Sequence, residues 1–193
     1  MGENKKEKAE SRKKQNLRVE VVLPEGVAAS VAGNILLVKG PKGEVKRELK
    51  QKNVSVKVEA QKIIFETKRS TKRDKKMAYS LTAHAKNMIK GTTQTHIYTL
   101  KICAGHFPMT VAVADNKLSV KNFLGEKVPR ILALKEGATV KVEGNLIHVT
   151  STSKELAGQV SGDIEQLTRR PGFDTRIFQD GCYIISKDGR ELK

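Results

Sequence analysis

Short stretches in which apolar and polar residues alternate recur along the chain. The segment 17–23 places Leu or Val at every second position between mostly polar residues, which is typical of a half-buried β-strand. Val54, Val56 and Val58 alternate in the same way, and strand-like segments also lie at 35–39, 44–49 and 63–66. Turn residues such as Pro24-Glu25-Gly26 and Gly33-Asn34 separate them. The pattern predicts a series of short antiparallel strands.

Two segments instead show the three- and four-residue spacing of an amphipathic helix. Their apolar positions are Ala78, Leu81, Ala85 and Met88 in the first, and Leu156, Val160, Ile164 and Leu167 in the second. Asp74 is predicted as the N-cap of the first helix, which should run to about Lys90 and end at Gly91. Ser153 is predicted as the N-cap of the second helix.

The two halves of the chain repeat one another. The segment Val38–Glu44 aligns with Val120–Glu126 at an offset of 82 residues. After two inserted residues, Val56–Glu59 matches Val140–Glu143 at an offset of 84, and a helical segment follows in each half. An ordered series of matches with one small shift indicates a tandem duplication. Val38 and Val120 should therefore occupy equivalent strands, and so should Val56 and Val140.

The predicted fold is α+β, with two tandem similar domains that each pack a small antiparallel β-sheet against one α-helix. The first domain is expected at residues 17–93 and the second at 94–193. A lysine-rich extension at residues 1–16 precedes them. It has no apolar stretch, so we expect it to be disordered and to be neither a signal peptide nor a membrane anchor.

The chain carries a large excess of positive charge. Lys and Arg number 37 against 21 acidic residues, which gives a net charge of +16. Each phosphate that a Lys or Arg neutralises releases condensed counterions, so the excess predicts a nucleic-acid partner. The charge is +3 over residues 1–16, +10 over 17–93 and +3 over 94–193, which by itself favours the first domain as the main contact.

Two basic segments are the first candidates for this contact. Residues 68–76 hold six positive charges on a predicted loop before the first helix, whose start can offer backbone N–H groups to an anion. Residues 168–176 present three arginines where Pro171 and Gly172 end the second helix. With three Tyr, five Phe and no Trp, base-stacking platforms are not expected. Recognition should rest on phosphates, 2′-hydroxyls and RNA shape.

The segment Gly40-Pro41-Lys42-Gly43 has two interpretations. Its GxxG form resembles the KH-domain loop that clamps a nucleotide backbone, and glycine at positive φ lets the chain approach a phosphate closely. Strand-like segments flank it on both sides, however, whereas the KH loop joins two helices. A hairpin turn that requires glycine explains the motif equally well. The equivalent segment 122–125 keeps only its last glycine, which favours turn geometry.

Other kinds of site lack their usual signals in the sequence. No phosphate-binding loop, dinucleotide fingerprint or zinc-protease motif occurs, and the four histidines have no metal-ligand spacing to either cysteine. No catalytic residue, cofactor, metal or small-molecule substrate is therefore predicted. Cys103 and Cys182 are expected to be buried free thiols. No apolar stretch is long enough to span a membrane, so no membrane contact is expected.

Six short motifs, in order, carry a resemblance to a known family. They are Gly40-Pro41-Lys42-Gly43, Asn87-Met88-Ile89-Lys90-Gly91, His106-Phe107-Pro108, Asn122-Phe123-Leu124-Gly125-Glu126-Lys127, Glu143-Gly144-Asn145 and Phe178-Gln179-Asp180-Gly181. From about Leu17 to Ser186 the chain resembles large-subunit ribosomal protein six, called protein nine in eukaryotic naming, in its archaeal and eukaryotic branch.

The resemblance implies a structural protein of the large subunit of cytoplasmic ribosomes. It implies binding to ribosomal RNA near the stalk base and the sarcin–ricin stem-loop, beside neighbouring ribosomal proteins and close to where translational GTPases dock. It also implies that the second domain anchors the RNA, where the charge distribution favours the first. A free RNA-binding or RNA-chaperone factor acting off the ribosome is the alternative function. An enzyme acting on RNA would need a clustered acid–base or metal site.

The candidate RNA-binding residues come from the two basic segments and from the segment 121–130, which aligns in part with the GxxG segment of the first repeat. They are Lys68, Arg69, Lys72, Arg73, Lys75, Lys76, Lys121, Asn122, Lys127, Arg130, Arg169, Arg170 and Arg176.

Overall fold

A computed structural model describes residues 17–49, 53–59, 61–67, 71–174 and 176–192. The chain divides into two compact units, with the boundary between Thr93 and Gln94. The predicted extension at 1–16 lies outside the described residues, as do Lys68 and Arg69.

The first unit contains six strands and a long helix. These are β1 (Arg18–Val22), β2 (Ala28–Ala32), β3 (Ile35–Gly40), β4 (Gly43–Glu48), β5 (Val54–Glu59), β6 (Lys62–Thr67) and α1 (Lys72–Gln94). The strands form two antiparallel sheets, ordered β2-β3-β4 and β1-β6-β5. The inward residues of both sheets and the apolar face of α1 share one core, in which Val38, Phe65 and Ala85 are fully buried.

The second unit repeats this plan and adds two strands. It contains β7 (His96–Cys103), β8 (Thr110–Ala114), β9 (Lys117–Lys121), a 3-10 turn (Phe123–Gly125), β10 (Arg130–Ala133), β11 (Ala138–Glu143), β12 (Leu146–Ser151), α2 (Lys154–Leu167), β13 (Gly181–Lys187) and β14 (Arg190–Glu191). Its sheets are ordered β8-β9-β10 and β11-β12-β7-β13-β14. Helix α2 packs on the larger sheet.

The repeat prediction is confirmed at the level of strand pairing. Val38 lies in the central strand of its three-stranded sheet opposite Ala29, and Val120 lies in the corresponding strand opposite Val111. Val56 lies opposite Phe65, and Val140 opposite Val149, at the same position of the second unit. The α+β class with two tandem units is confirmed as well. Each unit divides its strands between two sheets, because the local hairpins of β2-β3-β4 and β8-β9-β10 pair only among themselves.

The predicted start and end of the first helix are both wrong. Thr71 is the capping residue, since its Oγ1 accepts the backbone N–H of Asp74 at 3.2 Å and donates to the Asp74 carboxylate at 2.6 Å. The helix continues through Gly91, which is buried, and ends at Gln94. In the second helix, Ser153 caps as predicted, accepting the N–H of Leu156.

Candidate nucleic-acid interface

The first turn of α1 presents a cluster of positive charge. Lys72, Arg73, Lys75 and Lys76 are all exposed. They were predicted on a loop but are helical, because the capping Thr71 begins the helix just before them. Asp74 alone turns inward; hydrogen bonds from Thr71 and Asn53 lower the pKa of its carboxyl. The anion at this helix start is thus the chain's own carboxylate.

The GxxG segment is a tight hairpin packed against the end of α1. Gly40 and Gly43 face one another as the last pair of β3 and β4. The backbone N–H of Lys42 donates to the Thr92 carbonyl at 3.0 Å, so it does not point to solvent. A Cβ atom on Gly40 would lie 2.8 Å from the Thr92 carbonyl oxygen. The first glycine therefore serves close packing, and the hairpin interpretation holds at this position.

The loop after α2 is anchored at its start by Thr168. The buried Thr168 Oγ1 donates to the Glu165 carbonyl and accepts the backbone N–H of Cys182 at 2.9 Å. This pair of bonds ties the end of α2 to β13. Gly172 then takes a φ of 85°, a conformation that favours glycine. The loop is consequently held in place while its arginines remain accessible.

The three arginines of this loop differ in their surroundings. Arg169 is exposed. The guanidinium of Arg170 lies 4.2 Å from the ring centre of Phe173 and 3.9 Å from the Glu126 carboxylate. Arg176 has 89% of its side chain accessible, and it donates two hydrogen bonds to Asp174. Those bonds, with a third from the Arg176 backbone, lower the pKa of the Asp174 carboxyl.

Arg130 is built into the fold. Its Nε and Nη2 donate to the Glu126 carboxylate at 2.8 and 2.6 Å, and its guanidinium lies 4.4 Å from the ring centre of Phe123. Its Nη1 donates to the Leu167 carbonyl at the end of α2. The hydrogen bonds from Arg130 are the main reason that the pKa of the Glu126 carboxyl is lowered. The same Nη1 atom also lies 3.3 Å from the Arg169 carbonyl, so this predicted RNA-binding side chain is held by contacts within the protein.

The remaining candidates lie close to this arginine along the chain. Lys121 and Lys127 are exposed. Asn122 has a φ of 59°, and its Nδ2 donates to the Pro108 carbonyl at 3.0 Å, so its side chain holds the turn between β9 and the 3-10 turn. Asn122 therefore combines an exposed position with a defined structural contact.

A polar and aromatic cluster that no sequence pattern predicted lies beside the loop after α2, here called the arginine loop because it carries Arg169, Arg170 and Arg176. The Asp180 carboxylate accepts backbone N–H groups from Gly105 and His106 and contacts the His106 ring. Burial acts to raise the pKa of Asp180, but these hydrogen bonds outweigh it and the pKa is lowered. The His106 ring stacks on Phe178, whose ring meets Phe173 edge-on. The motifs that contain His106 and Phe178 were noted only for their resemblance.

The described residues were also compared with the requirements of a metal site, a reactive thiol and a membrane-spanning helix. No group of three or more His, Cys, Asp or Glu side chains in the described ranges is arranged to hold a metal ion. Cys103 is half-buried and Cys182 buried, both as free thiols, and burial raises the pKa of Cys182 to about 11. Within the part of the chain that the structure describes, no helix is both long enough and apolar enough to cross a membrane.

Comparison with known proteins gives a consistent set of relatives. A family model described as Ribosomal protein L6 matches residues 23–95. The large ribosomal subunit protein uL6 of Methanococcus vannielii is 41% identical over 91% of this chain and 97% of its own length. The proteins of the same name from Methanothrix thermoacetophila and Saccharolobus solfataricus are 41% and 38% identical over 86% and 89% of this chain, covering 94% and 96% of their own lengths.

Proposed function

This chain belongs to the ribosomal protein L6 family, and from that premise we propose that it is a structural constituent of the large ribosomal subunit that binds ribosomal RNA. The observation that carries the proposal is the similarity along almost the whole length of relatives named as large-subunit proteins. The net charge of +16 agrees with it, because a polyanionic partner would be neutralised on binding.

The role we propose is scaffolding. Closely packed RNA strands repel one another, and side chains that neutralise phosphates allow a folded RNA arrangement to persist. Arg169, Arg170 and Arg176 lie on a loop held by the end of α2 and by β13, so a charge placed there keeps its position. Planar guanidinium groups bind phosphate through two hydrogen bonds at once, which favours these residues as anchors.

The four cations at the start of α1 form a second proposed contact. They project from one helical turn, while Asp74 is directed inward, so the exposed face there is wholly positive. Lysine binds phosphate as a compact point charge, with less geometric constraint than arginine. This surface suits a looser contact with the RNA backbone or with an acidic neighbouring protein.

The finer setting is also proposed. The chain would bind near the stalk base and the sarcin–ricin stem-loop of cytoplasmic ribosomes, beside neighbouring large-subunit proteins and close to the docking site of translational GTPases. Footprinting of assembled subunits with and without the protein tests this placement. Protection of RNA in that neighbourhood is the expected result, and protection confined to another region of the subunit contradicts the placement.

Co-sedimentation and salt titration test the function itself. An integral constituent should remain with the large subunit after a high-salt wash, whereas a free RNA-binding or RNA-chaperone factor should be released. For the isolated protein, the logarithm of the binding constant should fall with the logarithm of salt by about 0.7–0.9 per phosphate neutralised. With on the order of five phosphate contacts, the slope should be steep. A slope near zero contradicts RNA binding through these cations.

A further inference from the structure

A cavity of about 530 Å³ lies in the second unit beside the arginine loop. The end of α2, the 3-10 turn and the loop before β13 enclose it, and its volume is in the usual range for ligand pockets. The proposed scaffolding role involves the arginines around this cavity, but it gives no function to the cavity itself.

The cavity concentrates the aromatic residues of the chain. The whole sequence has three Tyr, five Phe and no Trp, and four of these eight side chains line this one space: Phe123, Phe173, Phe178 and Tyr183. Phe123 is buried, whereas Phe173 and Tyr183 are 39% and 40% exposed. Aromatic residues are scarce in the sequence, which predicts no base-stacking platform, but the fold gathers half of them at a single place.

The Phe173 ring packs against another aromatic ring that is itself supported. The Phe178 ring lies between His106, stacked at a centroid distance of 5.0 Å, and Phe173, which meets it edge-on at 5.0 Å. His106 therefore supports Phe178, and Phe178 supports Phe173. A rigid ring loses little conformational entropy when a flat ligand stacks on it, so this arrangement suits a planar ligand.

The rim of the cavity is positively charged. Arg169 is exposed there, and the guanidinium of Arg170 lies 4.2 Å above the Phe173 ring. The two acidic side chains of the lining accept hydrogen bonds from the protein: Glu165 accepts the backbone N–H of Ile184, and Asp180 accepts those of Gly105 and His106. The cavity therefore combines a flat apolar surface with cations at its mouth, which matches a base joined to a phosphate.

We propose that this cavity receives the base of one unpaired RNA nucleotide, stacked against Phe173 and Tyr183, with the adjoining phosphate bound by Arg169 and Arg170. The inference rests on the proposed function, since it supposes that RNA is the partner. Unstacked bases are the usual targets of sequence-sensitive RNA recognition, and aromatic side chains are their usual platform. The loop arginines would bind the RNA backbone without regard to position along it. The base in the cavity would fix where along the RNA the protein sits.

Ultraviolet cross-linking locates the base. The full chain is bound to protein-free large-subunit rRNA from its own cells and irradiated, and nucleotide adducts are mapped on its peptides by mass spectrometry. The expected adduct is on Phe173 or Tyr183. Adducts found only elsewhere, with rRNA binding intact, overturn the inference but leave the proposed function standing. Failure to bind the rRNA at any salt concentration contradicts both.

Matched substitutions measure the contribution of stacking. Phe173→Leu keeps an apolar side chain but removes the ring, and Phe107→Leu does the same at a phenylalanine that is 48% exposed in the same unit but does not line the cavity. Phe173→Leu should weaken rRNA binding about ten-fold, as the loss of one stacked base does, and Phe107→Leu less than about two-fold. Phe173→Tyr keeps an aromatic ring and should bind rRNA as tightly as the wild type. Equal effects of the two leucine variants, or weakened binding of Phe173→Tyr, overturn the inference.

Discussion

Arg130 donates a hydrogen bond of 2.6 Å from its Nη1 atom to the carbonyl oxygen of Leu167, the last residue of α2. The last carbonyls of a helix have no partner within the helix, and a guanidinium is a strong donor to them. Because the same side chain also binds Glu126 through two hydrogen bonds, it joins the end of α2 to the segment before β10. The arginine loop begins directly after this junction.

Replacing Arg130 with Ala should therefore destabilise the second unit. The substitution leaves the Glu126 carboxylate and the Leu167 carbonyl without their donor, and we expect a loss of about 1–3 kcal/mol in the free energy of unfolding. Arg169→Ala is the matched control, because it also removes one positive charge but from an exposed side chain; it should change stability by less than about 0.5 kcal/mol. Urea denaturation measures both. Equal stabilities of the two variants would contradict the structural role of Arg130.

Acid should weaken the fold through Asp180. Its pKa is lowered below the ordinary value of 3.8 in the folded protein, so the unfolded chain binds a proton more readily. The stabilisation is complete above the ordinary pKa and is lost as the pH falls through the lower, folded value. Asp180→Asn keeps an oxygen for the N–H groups of Gly105 and His106 but cannot titrate. Its unfolding free energy should fall less steeply than that of the wild type below about pH 4.

Asp180→Ala separates hydrogen bonding from titration. It removes the acceptor of two backbone N–H groups at a nearly fully buried position, and we expect a loss of about 1–3 kcal/mol at neutral pH. The Asn variant should lose less than the Ala variant at that pH. If Asn and wild type show the same acid dependence, the carboxylate is not the titrating group.

The strands and the duplication could be predicted because they depend on local pattern. Alternation of apolar and polar residues predicted the half-buried strands, and the match between the two halves predicted that Val38 and Val120 lie in equivalent strands, as they do. The division of each unit into two sheets could not be predicted, since it depends on which strands pair non-locally. Strand β6, for example, pairs with β5 beside it and with the distant β1.

The site was less predictable, because its contacts join residues that are far apart in sequence. Arg130 meets a carbonyl 37 residues later, and Asp180 binds an N–H group 74 residues earlier. No local pattern signals either contact. The start of α1 was within reach, however: Thr71 followed three residues later by Asp74 is close to a capping box, in which the Thr is the cap.

Gly40→Ala should destabilise the first unit. The added Cβ would lie 2.8 Å from both the Cβ and the carbonyl oxygen of Thr92, and a backbone oxygen at the end of α1 moves only if the helix moves. We expect a loss of about 1–3 kcal/mol in the free energy of unfolding. Gly105→Ala is the control, since nothing lies within 4 Å of its added Cβ, and it should change stability by less than about 0.5 kcal/mol. A Gly40 variant as stable as the wild type would contradict the close approach.

Two triple substitutions compare the two proposed RNA contacts. Arg169, Arg170 and Arg176 are replaced together by Ala in one variant, and Lys72, Lys75 and Lys76 in the other, so each variant loses three positive charges. We expect the arginine variant to bind rRNA more weakly, because guanidinium groups on a loop anchored at Thr168 would bind phosphates through paired hydrogen bonds. Contacts made by the exposed lysines of α1 would be screened more readily by salt. Filter-binding titrations at two salt concentrations measure the difference, after cooperative melting at similar temperatures shows that both variants are folded. Equal weakening would make general electrostatics sufficient, and a greater loss from the lysine variant would move the main contact to the first unit.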